Sequence, residues 1–208
     1  MCQFKSAIVV KDEKVKGGIR LLMSPWTESH SELCIIHKLK TEDSRLRMAR
    51  VEFTPKDMAE AYKPETYSLR IDEERAPDWF TDEIRELVTQ KMRDYITSIV
   101  VSGDVQLLVG GQFIIAPGAK IESAKSMVIS AMCGGTLSAM CGGTLSAMYG
   151  GTLSAMCGGT LSEMRGGTLS AMRGGTLSAM RGGTLSEISK YFNGLLGDTI
   201  KATKDNRK

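Results

Sequence analysis

"GGTLSAMCGGTLSAMYGGTLSAMC", residues 134–157, spells one eight-residue unit three times and changes only its last letter. With Gly134 as position 1, seven octads run to Ser189. The same register extends back through "SMVISAMC" (126–133), "GAKIESAK" (118–125), "GGQFIIAP" (110–117) and "SGDVQLLV" (102–109), so eleven octads fill residues 102–189. A fixed period of this kind marks a repeat architecture and has to be settled first. Position 4 is always apolar: Val105, Phe113, Ile121 and Ile129, then leucine to Leu185. Position 7 is also apolar: Leu108, Ala116 and Ala124, then methionine from Met132 to Met180, then Ile188. Position 6 admits Glu163 and Glu187, and position 8 admits Cys, Tyr149, Arg165, Arg173 and Arg181. A buried site rejects an unpaired carboxylate. Positions 4 and 7 therefore point inward, and 3, 5 and 8 outward.

A period of eight with a recurring Gly pair does not suit a heptad coiled coil, and collagen needs Gly at every third residue. A disordered Gly/Ser tract would not hold Leu and Met at fixed positions. A short strand "TLSAM" closed by a Gly-Gly turn fits. One octad cannot bury its Leu, but stacked octads can, as a β-solenoid with parallel ladders. Inward residues three apart break strand alternation, which places a corner near position 6. Strict alternation would instead bury positions 4 and 6 and turn Met outward, and that alternative stays open. Two octads per coil would stack Cys141 on Cys157 and Arg165 on Arg181; three would stack Cys133 on Cys157. The sequence leaves both open.

The first hundred residues do not repeat. "SAIVV", "RLRMARVEF" and "YSLRID" read as strands. "TDEIRELVTQKMRDYITSIV" reads as a helix with Ile84, Leu87, Val88, Met92, Tyr95 and Ile96 on one face and Thr81 or Asp82 as its cap. The expected organisation is an α+β N-terminal domain over 1–101, packed on the first coils of a parallel β-solenoid of octapeptide repeats over 102–189. A cap and frayed tail are expected over 190–208. In that cap Tyr191, Phe192, Leu195 and Leu196 can cover the open solenoid end or pair it with a second copy, giving a homodimer.

"MCQFKSAIVVKD", "SHSEL", "ARVEFTP" and "APDWF" resemble an uncharacterised family of phage and gut-bacterial genomes, whose members join such an N-terminal domain to short repeats of variable length. The resemblance covers the chain to about residue 80. It implies an intracellular, phage-linked accessory protein and brings no catalytic residues.

Composition sets the remaining bounds. The net charge is +3: residues 1–101 hold 17 Lys+Arg against 18 Asp+Glu, 102–189 hold 5 against 4, and 190–208 hold 5 against 2. So small an excess does not argue for nucleic acid or a membrane surface. The five cysteines, Cys2, Cys34, Cys133, Cys141 and Cys157, are odd in number and three sit in the repeat. That is no disulfide framework, and it points to a reducing, cytoplasmic compartment. The first residues lack the apolar core of a signal peptide, and no apolar run is long enough for a membrane span.

Few residues suggest chemistry. His30, Cys34 and His37 would share a helical face and suit zinc, yet "ELCIIHKL" is also a plain amphipathic segment with no fourth ligand signalled. Asp72, Glu73 and Glu74, with Asp78 beyond, could do acid–base work, though a run this dense is more often a solvated turn. No Gly-Lys-Ser/Thr follows a Gly pair, so no phosphate loop is expected. Catalytic, cofactor and metal residues are therefore all expected to be absent. Arg165, Arg173 and Arg181 form a candidate partner-binding edge, offset by Glu163 and Glu187. The expected function is a non-enzymatic scaffold or interaction protein with an unknown protein partner. The alternatives are an enzyme sited around His30 and His37 and a nucleic-acid or host-factor binder using the arginine edge.

Overall fold

The continuous apolar run in "KSAIVVK", buried on both faces, makes Lys5–Lys11 (β1) an interior strand of an antiparallel sheet. Its neighbours are Ile19–Leu22 (β2) and Met48–Pro55 (β3), and β3 pairs in turn with Tyr67–Ile71 (β4). These belong to the first of two units, which divide between Val100 and Val101. The protein is seen as a computed structural model that describes residues 4–39, 47–73 and 76–188. The helix His30–Ile36 (α1) is capped by Ser29, whose side chain accepts from the Glu32 N–H. Its Leu33 and Cys34 pack on Ile8, Val10 and Met48. The long helix Asp82–Ile99 (α2) starts at Thr81, which accepts from the Ile84 N–H, and buries Val88, Met92, Ile96 and Ile99. Its Tyr95 lies over Lys5. Lys5 and Ile8 have opposite parity on β1, so α1 and α2 cover opposite faces of the sheet. The sequence reading anticipates β1, β3, β4 and α2. It does not contain β2, a four-residue strand.

The second unit is a parallel β-solenoid. Its strands are Val100–Val101 (β5), Asp104–Val109 (β6), Gln112–Ile115 (β7), Lys120–Lys125 (β8), Val128–Met132 (β9), Thr136–Met148 (β10), Thr152–Met164 (β11), Thr168–Met172 (β12), Thr176–Met180 (β13) and Thr184–Ile188 (β14). Pairing joins residues to those sixteen further on, apart from local register shifts: Thr136 to Thr152, Leu145 to Leu161, Met156 to Met172. A coil is therefore two octads, and about six coils stack. One face carries β6, β8, the first half of β10, the first half of β11, β12 and β14. The other carries β7, β9, the second halves of β10 and β11, and β13.

The core is the two columns read from the repeat. Leu137, Leu145, Leu153, Leu161 and Leu169 are fully buried, as are Met132, Met140, Met148, Met156 and Met164. Positions 4 and 7 both point inward, within strands that run unbroken from position 3 to position 7. The alternative with Met outward is thereby excluded. One position departs from the sequence register. Phe113 pairs with Ile129, but Ile114 pairs with Ala131 and Ile115 with Met132. This irregularity moves Ile115, not Ala116, into the methionine column, where the larger side chain fills the core.

The Gly pair turns the corner. Gly167 has φ +77, and a Cβ there would sit 2.6 Å from the Gly151 oxygen one coil back. Both the left-handed backbone and the close coil-to-coil approach demand Gly. The corner N–H groups bond back to the preceding coil, as in Thr168 N–H to Gly151 O at 2.9 Å and Arg173 N–H to Met156 O at 2.8 Å. Each coil thus supplies the acceptors that seat the next.

Candidate functional site

In the first unit, the sequence candidates are held inside the fold. His30 is buried; its Nε2 lies 3.2 Å from the Val51 carbonyl and its Nδ1 3.2 Å from the Asp72 carboxylate. The structure does bring a histidine and a carboxylate together. Both ring nitrogens are engaged, however, so the pair ties α1 to β3 and the turn after β4 and leaves no nitrogen to act as a base. His37 places Nε2 3.1 Å from the Met23 carbonyl. Cys34 is buried on the inner face of α1. Among the described residues, no three His, Cys, Asp or Glu side chains converge as metal ligands. Glu73 stands 4.0 Å from Arg50, and burial outweighs that cation and raises its carboxyl pKa. Glu74 lies outside the described residues.

The sequence reading missed the most deeply buried charge. Lys5 is 0 % exposed. Its ammonium donates to the Ser24 carbonyl at 2.6 Å and to Glu28 Oε1 at 2.9 Å, and sits 5.3 Å from the centre of the Tyr95 ring. Glu28 Oε2 accepts the Ser6 N–H at 2.6 Å. The registered β1–β2 pairs begin only at Ile8, so Glu28 satisfies backbone where that ladder is missing. Burial lowers the Lys5 pKa against the pull of Glu28. Tyr95 is pushed up to about 12, by burial first and by Glu28 second. The signal was present in parity: Lys5 falls on the same strand face as Ala7 and Val9. A lysine enclosed this way is a structural anchor, with no access for a substrate.

The solenoid carries the exposed candidates. Arg165 Nε donates to Glu163 Oε2 at 2.8 Å, and Arg181, one coil on, also pairs with Glu163. The Arg165 guanidinium lies 5.8 Å from the Tyr149 ring centre. Tyr149, Arg165 and Arg181 thus form one column at one corner. The hydrogen bond from Arg165 is the first cause of the lowered Glu163 pKa. Arg173 follows Met172, which stacks on Met156 on the other face. The structure therefore groups Arg165 with Arg181 and places Arg173 at the opposite corner.

In the last described coils the apolar columns are less buried. Met180 is 41 % and Ile188 37 % exposed, and Leu177 and Leu185 are only partly buried. Tyr191, Phe192, Leu195 and Leu196 lie outside the described residues. No helix among the described residues is long and apolar enough to cross a membrane. Comparison of the chain with protein-family models, curated proteins and solved structures gives no match.

Proposed function

We propose that this chain is a non-enzymatic interaction protein whose solenoid joins a second copy of itself through the C-terminal coil. The observation that carries this reading is the exposure of the apolar columns there: on one face the column buried at Met164 emerges at Met180, and on the other the column buried at Met172 emerges at Ile188. An open strand edge with apolar side chains is a template for further pairing. The occupant with a matching edge is another copy, and a two-fold contact closes on itself without forming fibres. The ionisable groups of the first unit support the same reading, because His30, His37 and Lys5 are spent on backbone carbonyls and carboxylates. The motif resemblance of the N-terminal segment adds a setting, a phage-linked accessory protein in a reducing compartment.

Light scattering of the full chain at tens of micromolar tests the proposal. A dimer is expected, and the double variant Met180→Asp/Ile188→Asp should be monomeric with unchanged circular dichroism. Phe192→Asp and Leu196→Asp test the part assigned to the following segment. A monomeric parent chain overturns the reading.

A further inference from the structure

The last two described strands form a stepped edge that is complementary to itself. Among the described residues, β13 pairs with β11 alone and β14 with β12 alone, so each turns one edge away from the stack. They lie on opposite faces and run in opposite directions, since a sixteen-residue coil returns to its start. Half a coil separates them along the stack, so β14 stands about 2.4 Å beyond β13, half the spacing of paired strands. Their inward side chains are apolar: Leu177 and Met180 on β13, Leu185 and Ile188 on β14. Met180 and Ile188 are exposed, and Leu177 and Leu185 are partly buried.

An end-to-end two-fold contact can be formed in two ways. With the axis perpendicular to the faces, β14 meets β14 of the second copy, and the two β13 strands are left with a gap wide enough for a further strand. With the axis parallel to the strands, the faces exchange. The protruding β14 of each copy then meets the recessed β13 of the other, and the step closes without a gap. The strands paired in this way run antiparallel. Inward positions are three apart in both strands, so one register sets both inward residues of one strand opposite both of the other: Leu185 opposite Met180, and Ile188 opposite Leu177. The same register sets Glu187 opposite Ser178. Both are exposed, and within one chain they lie on opposite faces.

We infer that two copies join by adding β14 of each to β13 of the other, antiparallel and in this register, so that both sheets of the solenoid continue across the contact. The inference rests on the self-association proposed for the chain and specifies its pairing. The test is the dimer dissociation constant of the full chain by sedimentation equilibrium, with circular dichroism as the check of fold. Ser178→Lys creates two opposite-charge cross-strand pairs with Glu187 per dimer and should tighten the dimer about tenfold, and Ser178→Glu should weaken it by about as much. In a Glu187→Gln background both effects should vanish, because the coupling runs only between copies. No response to Ser178→Lys, or a response that is the same with Glu187→Gln, overturns the pairing and leaves the self-association standing. A monomeric parent chain overturns both.

Discussion

The solenoid and the N-terminal sheet unit bury their cores by opposite means. In the solenoid, Leu137, Leu153 and Leu169 occupy one column and Leu145 and Leu161 the other, all fully buried in the same surroundings. Any coil can stand for any other. In the sheet unit no buried position is duplicated, and a single ion pair, Lys5 with Glu28, closes the sheet where the β1–β2 pairs are missing. Damage to the solenoid should therefore depend on phase, and damage to the sheet unit on identity. The chain has two tryptophans, Trp26 and Trp79, both in the sheet unit. Their fluorescence follows that unit alone, while far-ultraviolet circular dichroism follows both.

Deletions give the largest contrast. Removing residues 134–149 takes out one coil, and every later residue keeps its column. The β signal should fall by that coil's share and melting should stay cooperative, because neighbour stacking makes coils interchangeable. Removing residues 134–145 deletes twelve residues and shifts the octad by four, so that Tyr149 and Thr152 fall where the Leu and Met columns run. Most of the solenoid signal should be lost. Equal tolerance of both deletions would show that the sixteen-residue phase is not what holds the coils. Next in size is Leu153→Asp, which puts an unpaired carboxylate at a fully buried site at a cost of about 4 kcal/mol or more. Circular dichroism should drop while tryptophan fluorescence stays native. Loss of both signals together would break the separation of the two units.

The same contrast explains what was legible in the sequence. Periodicity averages over eleven octads, so the two inward positions and the parallel stacking could be read from tolerated residues alone, whereas the corner expected near position 6 lies at the Gly pair. Coil size could not, because two and three octads satisfy the same inward pattern; only pairing of Thr136 with Thr152 decides. Ile115 escaped because an irregularity in the ladder leaves no mark in the apolar pattern. In the sheet unit each element rests on one local pattern. The eighteen-residue α2 shows a full apolar stripe, whereas β2 is too short for alternation to stand out. The partner of Lys5 is 23 residues away, a distance over which sequence carries no pairing signal. The exposed end was legible only as a need for a cap, since the exposure of the columns at Met180 and Ile188 is a property of the stack.

Lys5→Met tests the identity-dependent side. It leaves Glu28 facing an apolar neighbour, and loss of one partner of a buried pair should cost about 3 kcal/mol. The urea midpoint by tryptophan fluorescence should fall, with the solenoid transition unmoved. A neutral result would mean that packing alone closes the sheet and that Glu28 needs no cation. The companion Glu28→Gln should also lower the midpoint, because its single amide oxygen can replace the acceptor for Lys5 or for the Ser6 N–H but not for both, and its NH2 then faces the other donor.

The smallest effect is confined to alkaline pH. The Tyr95 phenol titrates at about 12 in the fold against 10.0 as an ordinary phenol. The native state therefore binds the proton more tightly than the unfolded chain does. The resulting stability is complete below pH 10.0 and is lost as pH rises toward about 12. Lys5 acts with the opposite sign. Its pKa is lowered from 10.5, chiefly by burial, so between its native value and 10.5 the unfolded chain holds more protons and stability rises with pH. Tyr95→Phe removes only the first effect. Its urea midpoint, read by tryptophan fluorescence, should be lower than the parent's near neutrality if the hydroxyl is bonded, and the two should converge as pH approaches about 12. Lys5→Met should instead lose the opposing rise and decline more steeply than the parent below pH 10.5. Parallel curves for parent and Tyr95→Phe through that window would show that the phenol ionises as freely in the fold as in the unfolded chain, and that Tyr95 is not enclosed with Lys5 and Glu28.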